Sequence, residues 1–518
     1  MLAVPISHTV NKSSQYILTA LLAPIIVGFV ILTEGDVYTA ITIASIIGGL
    51  WLTIRYEQYS FYLMIFLVLV LEQFPVQRPF DNTITVILGR YYLGNLYQVI
   101  PLTFLKMNTL EIHIGALVMV LLFKHKFEPT DRYPKLAILP LALAFLGIVL
   151  LGEARGMTSG GDLLKSLWEI RALVYLVAIV LIAPRMIRSE KEVRILIWIV
   201  IAALGLKAFQ GFYYFMFTLG ARLGATQTIL AHEDSHFFNF AFIILLGMIL
   251  FKLKDTQRTV LLLLLPVMGF LFLVNQRRVT YGTLLLGILI ALIVVDNPAV
   301  KRRALGFAAA GILLAVPYAV VFWNSSSAIA LPIRQAKSVF DEKDGSNLYR
   351  VNEKVNLAYS ITSSPLGEGF GKKYKVIVPM DDISKLFPLW DFIPHNSVLG
   401  FWTKAGTHGF IIFLFFFGGA LAHATNSFRK LRDPYHKILA LAVMTQIVGQ
   451  LIVSYYDLQL NYYRNMVFLG MQLGLIAALR NLEEPVPATV EAPINDLSAD
   501  QQRDREADDD FAGDAQYV

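Results

Sequence analysis

The chain contains no cysteine, which rules out disulfides and thiolate zinc ligands and leaves every segment to be held by packing and hydrogen bonds. Charge is scarce too: 16% of the 518 residues are Asp, Glu, Lys or Arg, against 56% hydrophobic. A soluble domain does not carry such a balance, and a mean hydropathy of +0.59 places the chain among polytopic membrane proteins. The Gly-x-Gly-x-x-Gly and Walker phosphate-loop patterns are missing, which disfavours a soluble nucleotide as substrate. Asp381-Asp382 lacks the Asp-x-Asp spacing of nucleotide-sugar transferases and reads as a solvated loop. No small-residue cleavage site follows Lys12 and the first apolar run, so 16–33 reads as a retained span.

What the chain has in abundance is apolar runs of about 20 residues, the length of a bilayer-crossing helix. They fall near 16–32, 37–53, 60–74, 108–123, 136–151, 163–183, 193–217, 237–251, 260–274, 281–295, 305–323, 397–424, 438–455 and 462–479. The expected fold is therefore an all-α integral membrane protein of about 14 transmembrane helices. One polar stretch, 324–394, separates an N-terminal bundle (1–323) from C-terminal spans (395–482). The residues from 483 to 518, with Pro485, Pro487, Pro493 and an acidic end, are expected to be a disordered tail.

Basic residues occupy alternate loops: Lys124/Lys126/Arg132/Lys135, Arg185/Arg188/Lys191/Arg194, Lys252/Lys254/Arg258, Lys301/Arg302/Arg303 and Arg429/Lys430/Arg432/Lys437. Loops at 34–36 and 456–461 carry none. The positive-inside rule then puts both termini in the cytoplasm and the 324–394 stretch outside it. Arg222 and the pair Arg277/Arg278 fall on that same outer side.

Arginines held at a membrane boundary either snorkel to lipid headgroups or face a cavity or an anion, and a guanidinium fork suits phosphate oxygens. Arg222, Arg277, Arg278 and Arg350 together suggest a lipid-linked phosphate or diphosphate ligand, whose departure several donors would stabilise. His395 adds a group able to take a proton from an attacking hydroxyl near neutral pH, and Asn396 could orient a sugar or the imidazole. A histidine at a helix start is also a common structural feature. Here it follows Pro394 and precedes a span broken by Lys404, Gly406, His408 and Gly409.

These segments resemble the O-antigen ligase and polymerase superfamily of bacterial cell-envelope glycosyltransferases. The span after Gln276-Arg277-Arg278 looks like the family's Ser-Arg-Gly-type start of a paired helix. Arg350 followed by Pro365-Leu366-Gly367-Glu368-Gly369-Phe370-Gly371 looks like its Arg, then Pro-x-x-Gly-x-Gly outer-loop signature. His395-Asn396, then Gly406 and Gly409, resembles its His-Asn, then Gly-x-x-Gly pattern. The likeness covers roughly the second half of the chain and departs from the family at Arg277 and Val279, where Ser and Gly are usual.

The resemblance implies a GT-C-like fold with one large extracytoplasmic loop in the bacterial cytoplasmic membrane. It implies a metal-independent, inverting transfer of a glycan from a polyprenyl (undecaprenyl) diphosphate carrier to a lipid-linked or glycan acceptor, with no cofactor and no nucleic-acid partner. Carried over by position, Arg222 and Arg278 would grip the diphosphate and His395 would be the base, with Arg277 and Arg350 as further diphosphate ligands. Ligase and repeat-unit polymerase activities are not separated by these residues.

Parts of the sequence also fit two other classes. His232-Glu233-Asp234-Ser235-His236 matches H-E-x-x-H, in which two histidines one helical turn apart hold zinc and the glutamate acts as base in a metalloprotease. No third-ligand motif follows it, and the segment reads equally as a polar lining in which Glu233 and Asp234 orient a glycan, or as a helix N-cap. A small-solute transporter would show inverted repeats and paired broken helices, and no repeat is visible. Lys207, Glu111, Glu169 and Arg171 lie inside apolar spans, where charge is costly. Glu169 and Arg171, two residues apart, cannot face each other, so each is expected to pair with another span.

Overall fold

Alternating runs of Leu, Ile, Val and Phe with short capped connections fold as the expected helices. A computed structural model describes residues 37–73, 83–98, 105–127, 135–222, 229–338, 345–385 and 387–483, with a few helical positions between 20 and 31. Apart from those positions the expected first span lies outside the described residues. So do Lys12, the loop at 34–36, Arg132, Gly224 and the tail after Glu483. Among the described residues the chain is all-helical, with 78% helix and no strand.

The helices, in chain order, are α1 (Val37–Arg55), α2 (Glu57–Val70), α3 (Ile84–Tyr92), α4 (Thr109–Phe127), α5 (Leu139–Thr158), α6 (Leu163–Met186), α7 (Glu190–Tyr213) and α8 (Asp234–Leu250). They continue as α9 (Thr256–Val274), α10 (Arg278–Val294), α11 (Pro298–Phe322), α12 (Leu331–Ser338), α13 (Gly345–Ser363), α14 (Ser397–Lys430), α15 (Pro434–Tyr456) and α16 (Tyr463–Glu483). Among the described residues, 8 helices are long and apolar enough to cross a membrane: α5, α6, α7, α9, α11, α14, α15 and α16. Ile41–Arg55, α2, α8 and α10 are shorter apolar helices. The protein is thus a helical, multi-pass membrane protein, and among the described residues each apolar run named above from Val37 onward overlaps a helix. The 324–394 stretch is partly helical, holding α12 and α13.

Helix starts follow local rules. Asp162, Asp255, Asn297 and Asp433 each accept hydrogen bonds from backbone N–H groups of the first turn, and Pro298 and Pro434 occupy first-turn positions where no N–H is needed. Within Met1–Leu482, one compact unit, α15 lies between α8, α10 and α14, and α14 packs along α5. Phe145 of α5 anchors that last seam, stacked on Phe416 at 4.8 Å and Phe401 at 5.6 Å between ring centres.

The basic loops meet at one end of this bundle. Arg194 bridges to Asp255 at 2.5 Å, His436 to Glu190 at 2.5 Å, Tyr435 donates to Gln257 at 2.7 Å, and Arg303 reaches the Leu250 carbonyl. Since each helix runs end to end, the starts of α8, α10, α14 and α16 and the finish of α15 gather at the opposite end.

The intramembrane charges are paired across spans. Glu169 meets Lys404 of α14 at 2.9 Å and Arg171 meets Glu111 of α4 at 2.9 Å, different helices as their spacing requires. Lys207 pairs with Glu72 and lies 3.6 Å from Asp234.

Candidate functional site

At the end opposite the basic loops, α14 is broken. At about 1.5 Å per residue its 34 residues would span about 50 Å, more than one bilayer crossing. The break is at Gly406, whose φ of 75° and ψ of 178° suit glycine alone. The carbonyls that the break frees do not go unpaired. Thr403 O accepts from Glu368 N–H at 2.9 Å, Lys404 O from Gly369 N–H at 3.1 Å, and Thr407 N–H donates to Pro365 O at 2.8 Å.

The Pro365-to-Gly371 turn is therefore a clamp: one side satisfies the α14 break, the other donates Phe370 N–H to Gly152 O of α5. Gly369 sits so close to α5 that a Cβ there would lie 2.4 Å from the Gly156 Cα. Replacing Gly406 by Ala should cost about 1–3 kcal/mol for the backbone strain alone, and a Cβ would meet the Leu366 carbonyl carbon at 2.3 Å. Thermal unfolding of the detergent-solubilised variant checks this, an unchanged midpoint being the contrary result.

The clamp fixes the chain that arrives at His395. Glu353, on α13 one turn after Arg350, accepts hydrogen bonds from the backbone N–H of His395 at 2.9 Å and of Asn396 at 3.2 Å, and its Oε1 lies 3.1 Å from His395 Nδ1. Its carboxylate is 1% exposed and the imidazole 26%, so the histidine is reachable and the glutamate is not. Tyr349 sets its ring edge against the imidazole, 5.2 Å between centres. A carboxylate on Nδ1 holds the proton there and leaves Nε2 as the acceptor. Asn396 caps α14 by accepting from Leu399 N–H at 2.9 Å, and its buried Nδ2 has no partner.

Around this dyad lie the other groups. Arg277 occupies the N-cap position of α10 without a side-chain capping bond, and its Nε and Nη2 are buried without hydrogen-bond partners, as is Arg350 Nε. Burial pushes the Arg277 guanidinium below its ordinary range; Asp457, Tyr462 and Glu233 oppose this and Arg350 adds to it. Arg277 and Arg350 are thus like charges within range of each other. Asp457, in the α15–α16 connection, pairs with His232 Nδ1 at 2.8 Å. Burial raises its carboxyl, but His232, Arg277 and His395 outweigh this and hold it well below the usual carboxylate range. Asp457 thus stands between His232, with which it pairs, and the Arg277 side of the site.

Of the other residues marked out by sequence, Arg278 opens α10 half-buried, and Arg222 is exposed on the turn after α7. Glu233 and Asp234 have their carboxylates taken up by the buried Arg464, at 2.7 and 2.6 Å. The H-E-x-x-H match is not a pair of histidines on one helix face: α8 begins at Asp234, His232 turns to Asp457, and His236 lies against Gly449 of α15. Among the described residues, the set of three Asp, Glu or His side chains with ligand atoms within 4.8 Å of one another is Glu190, Asp433 and His436, at the other end.

Sequence reading missed Glu353, Asp457, Glu72 and Arg464. The rule that singled out Lys207 would have found Glu72 and Arg464, which also stand inside apolar runs; Glu353 and Asp457 carry no local signal beyond the Arg350-x-x-Glu353 spacing. No protein-family model and no curated protein matches the chain.

Proposed function

We propose that the protein is a membrane glycosyltransferase of the O-antigen ligase or polymerase type, acting outside the cytoplasmic membrane. Arg277 and Arg350 bind the diphosphate of a polyprenyl-linked glycan donor, and His395 deprotonates the acceptor hydroxyl. The observation that carries the reading is the pair of neighbouring arginines with buried, unpartnered N–H groups beside a carboxylate-held histidine. Buried donors without acceptors are costly, and an anion between two repelling guanidinium groups would remove both costs at once.

In the proposed step the acceptor oxygen attacks the anomeric carbon as its proton passes to His395 Nε2. The bond from that carbon to the diphosphate oxygen breaks on the far face, and the leaving electron pair stays on the diphosphate, where the arginines stabilise it. Glu353 is a positioning residue that fixes the imidazole and stabilises its protonated form.

Purified protein in vesicles, given a polyprenyl-diphosphate glycan and a glycan acceptor, should release the carrier diphosphate and extend the acceptor. Arg350→Gln should reduce kcat/KM for the donor about 10- to 100-fold, the worth of one charge-assisted hydrogen bond at ~1.5–3 kcal/mol. Absence of carrier release by the unaltered protein would remove the reading.

A further inference from the structure

The helix that carries Arg350 and Glu353 is amphipathic in an inverted sense. On α13 the polar residues Glu353, Asn356 and Ser360 are buried, at 1%, 0% and 0% exposure. Asn356 Oδ1 accepts from Ile377 and Val378 N–H, both at 2.8 Å, and Ser360 Oγ from Lys375 N–H at 2.9 Å. The opposite face presents Leu348, Val351, Val355 and Tyr359, exposed by 57, 55, 44 and 44%. Their spacing of three and four residues makes one continuous stripe along the helix. In water such a stripe would be a liability.

The depth of α13 can be read from a second contact. α15 is one of the helices able to cross a membrane and ends in Tyr455 and Tyr456, an aromatic pair of the kind that sits at the boundary between hydrocarbon and headgroups. The Lys354 ammonium lies over both rings, 5.0 and 5.8 Å from their centres. Lys354 flanks the apolar stripe, so α13 lies at the level where that span leaves the hydrocarbon. Apolar side chains outward with a lysine at their edge is the arrangement of a helix lying in the interface.

We propose that α13 is a membrane-surface helix whose Leu348–Val351–Val355–Tyr359 stripe beds in the acyl chains of the bilayer, so that its buried face holds the His395 site at the lipid surface and not in bulk water. This placement does not rest on the glycan-transfer reading.

The absence of native cysteine makes the test direct. Val351→Cys and Val355→Cys, each carrying a nitroxide label in the full chain in phospholipid vesicles, are compared with Asp382→Cys, an exposed position of the same outer stretch. Collision rates with oxygen, which concentrates in hydrocarbon, and with a water-soluble nickel chelate are measured by power saturation. The oxygen-to-nickel ratio is expected to be several-fold higher at 351 and 355 than at 382. Equal ratios at all three positions would overturn the proposal. Dipolar broadening at 351 that vanishes on dilution with unlabelled protein would overturn it in favour of a second copy on the stripe.

Discussion

His395→Ala is expected to reduce glycan transfer about 10²- to 10⁴-fold, the range that a positioned general base supplies, without loss of folded protein. The structure explains why the fold should survive. Glu353 holds this segment mainly through the backbone N–H groups of residues 395 and 396, which alanine retains, and Asn396 still caps α14. What disappears is Nε2, the proposed proton acceptor. Added imidazole should restore part of the rate, because the vacated space lies beside the same carboxylate. Glu353→Gln tests the dyad from its other side: it should lower kcat while leaving KM for the donor nearly unchanged, since the Glu353 carboxylate is buried against His395 and Asn396. Full transfer activity in His395→Ala would remove the proposed base and with it the mechanism.

The helices were legible because the hydrophobic effect writes them locally: an apolar run of bilayer length is a helix whatever its neighbours. The alternation of basic loops was legible from charge alone, and among the described residues Arg194 joins Asp255 and His436 joins Glu190 at one end of the bundle. Pairing across the fold was not. Glu169 and Arg171 could be excluded as partners of each other by helix geometry, yet Lys404 and Glu111 as their actual partners depend on which spans pack together.

The glycine pattern after Pro365 could be seen, but its purpose could not. Pro365 to Gly371 meets the broken turn at Gly406 only because α5 and α14 are neighbours, about forty residues apart from the clamp in one direction and two hundred in the other. The H-E-x-x-H match shows the opposite hazard. Its spacing is a helical one, but the helix begins two residues into it, and Arg464, more than two hundred residues later, claims the glutamate that the motif would need free.

Arg464→Met should destabilise the folded protein by about 3–5 kcal/mol, the usual cost of removing one partner from a buried ion pair. The arginine is fully buried, and its guanidinium holds Glu233, Asp234 and the carbonyls of Val68 and Leu69, the latter two at 2.8 and 2.7 Å. Those carbonyls close the last turn of α2, so the one side chain joins α2, α8 and α16. Methionine fills much of the volume but leaves the Glu233 and Asp234 carboxylates without the guanidinium that both contact, and the neighbouring Lys207 is already paired with Glu72. The ion pairs here already set three acids, Glu72, Glu233 and Asp234, against two bases, Lys207 and Arg464, so loss of Arg464 leaves three carboxylates on one ammonium. Adding Glu233→Gln and Asp234→Asn to Arg464→Met should recover a large part of the loss, because neutral amides are far cheaper to bury than unpaired carboxylates. Denaturant unfolding in detergent would measure both steps. A triple variant no more stable than Arg464→Met would show that the backbone carbonyls of α2, and not the carboxylates, are what Arg464 holds in place.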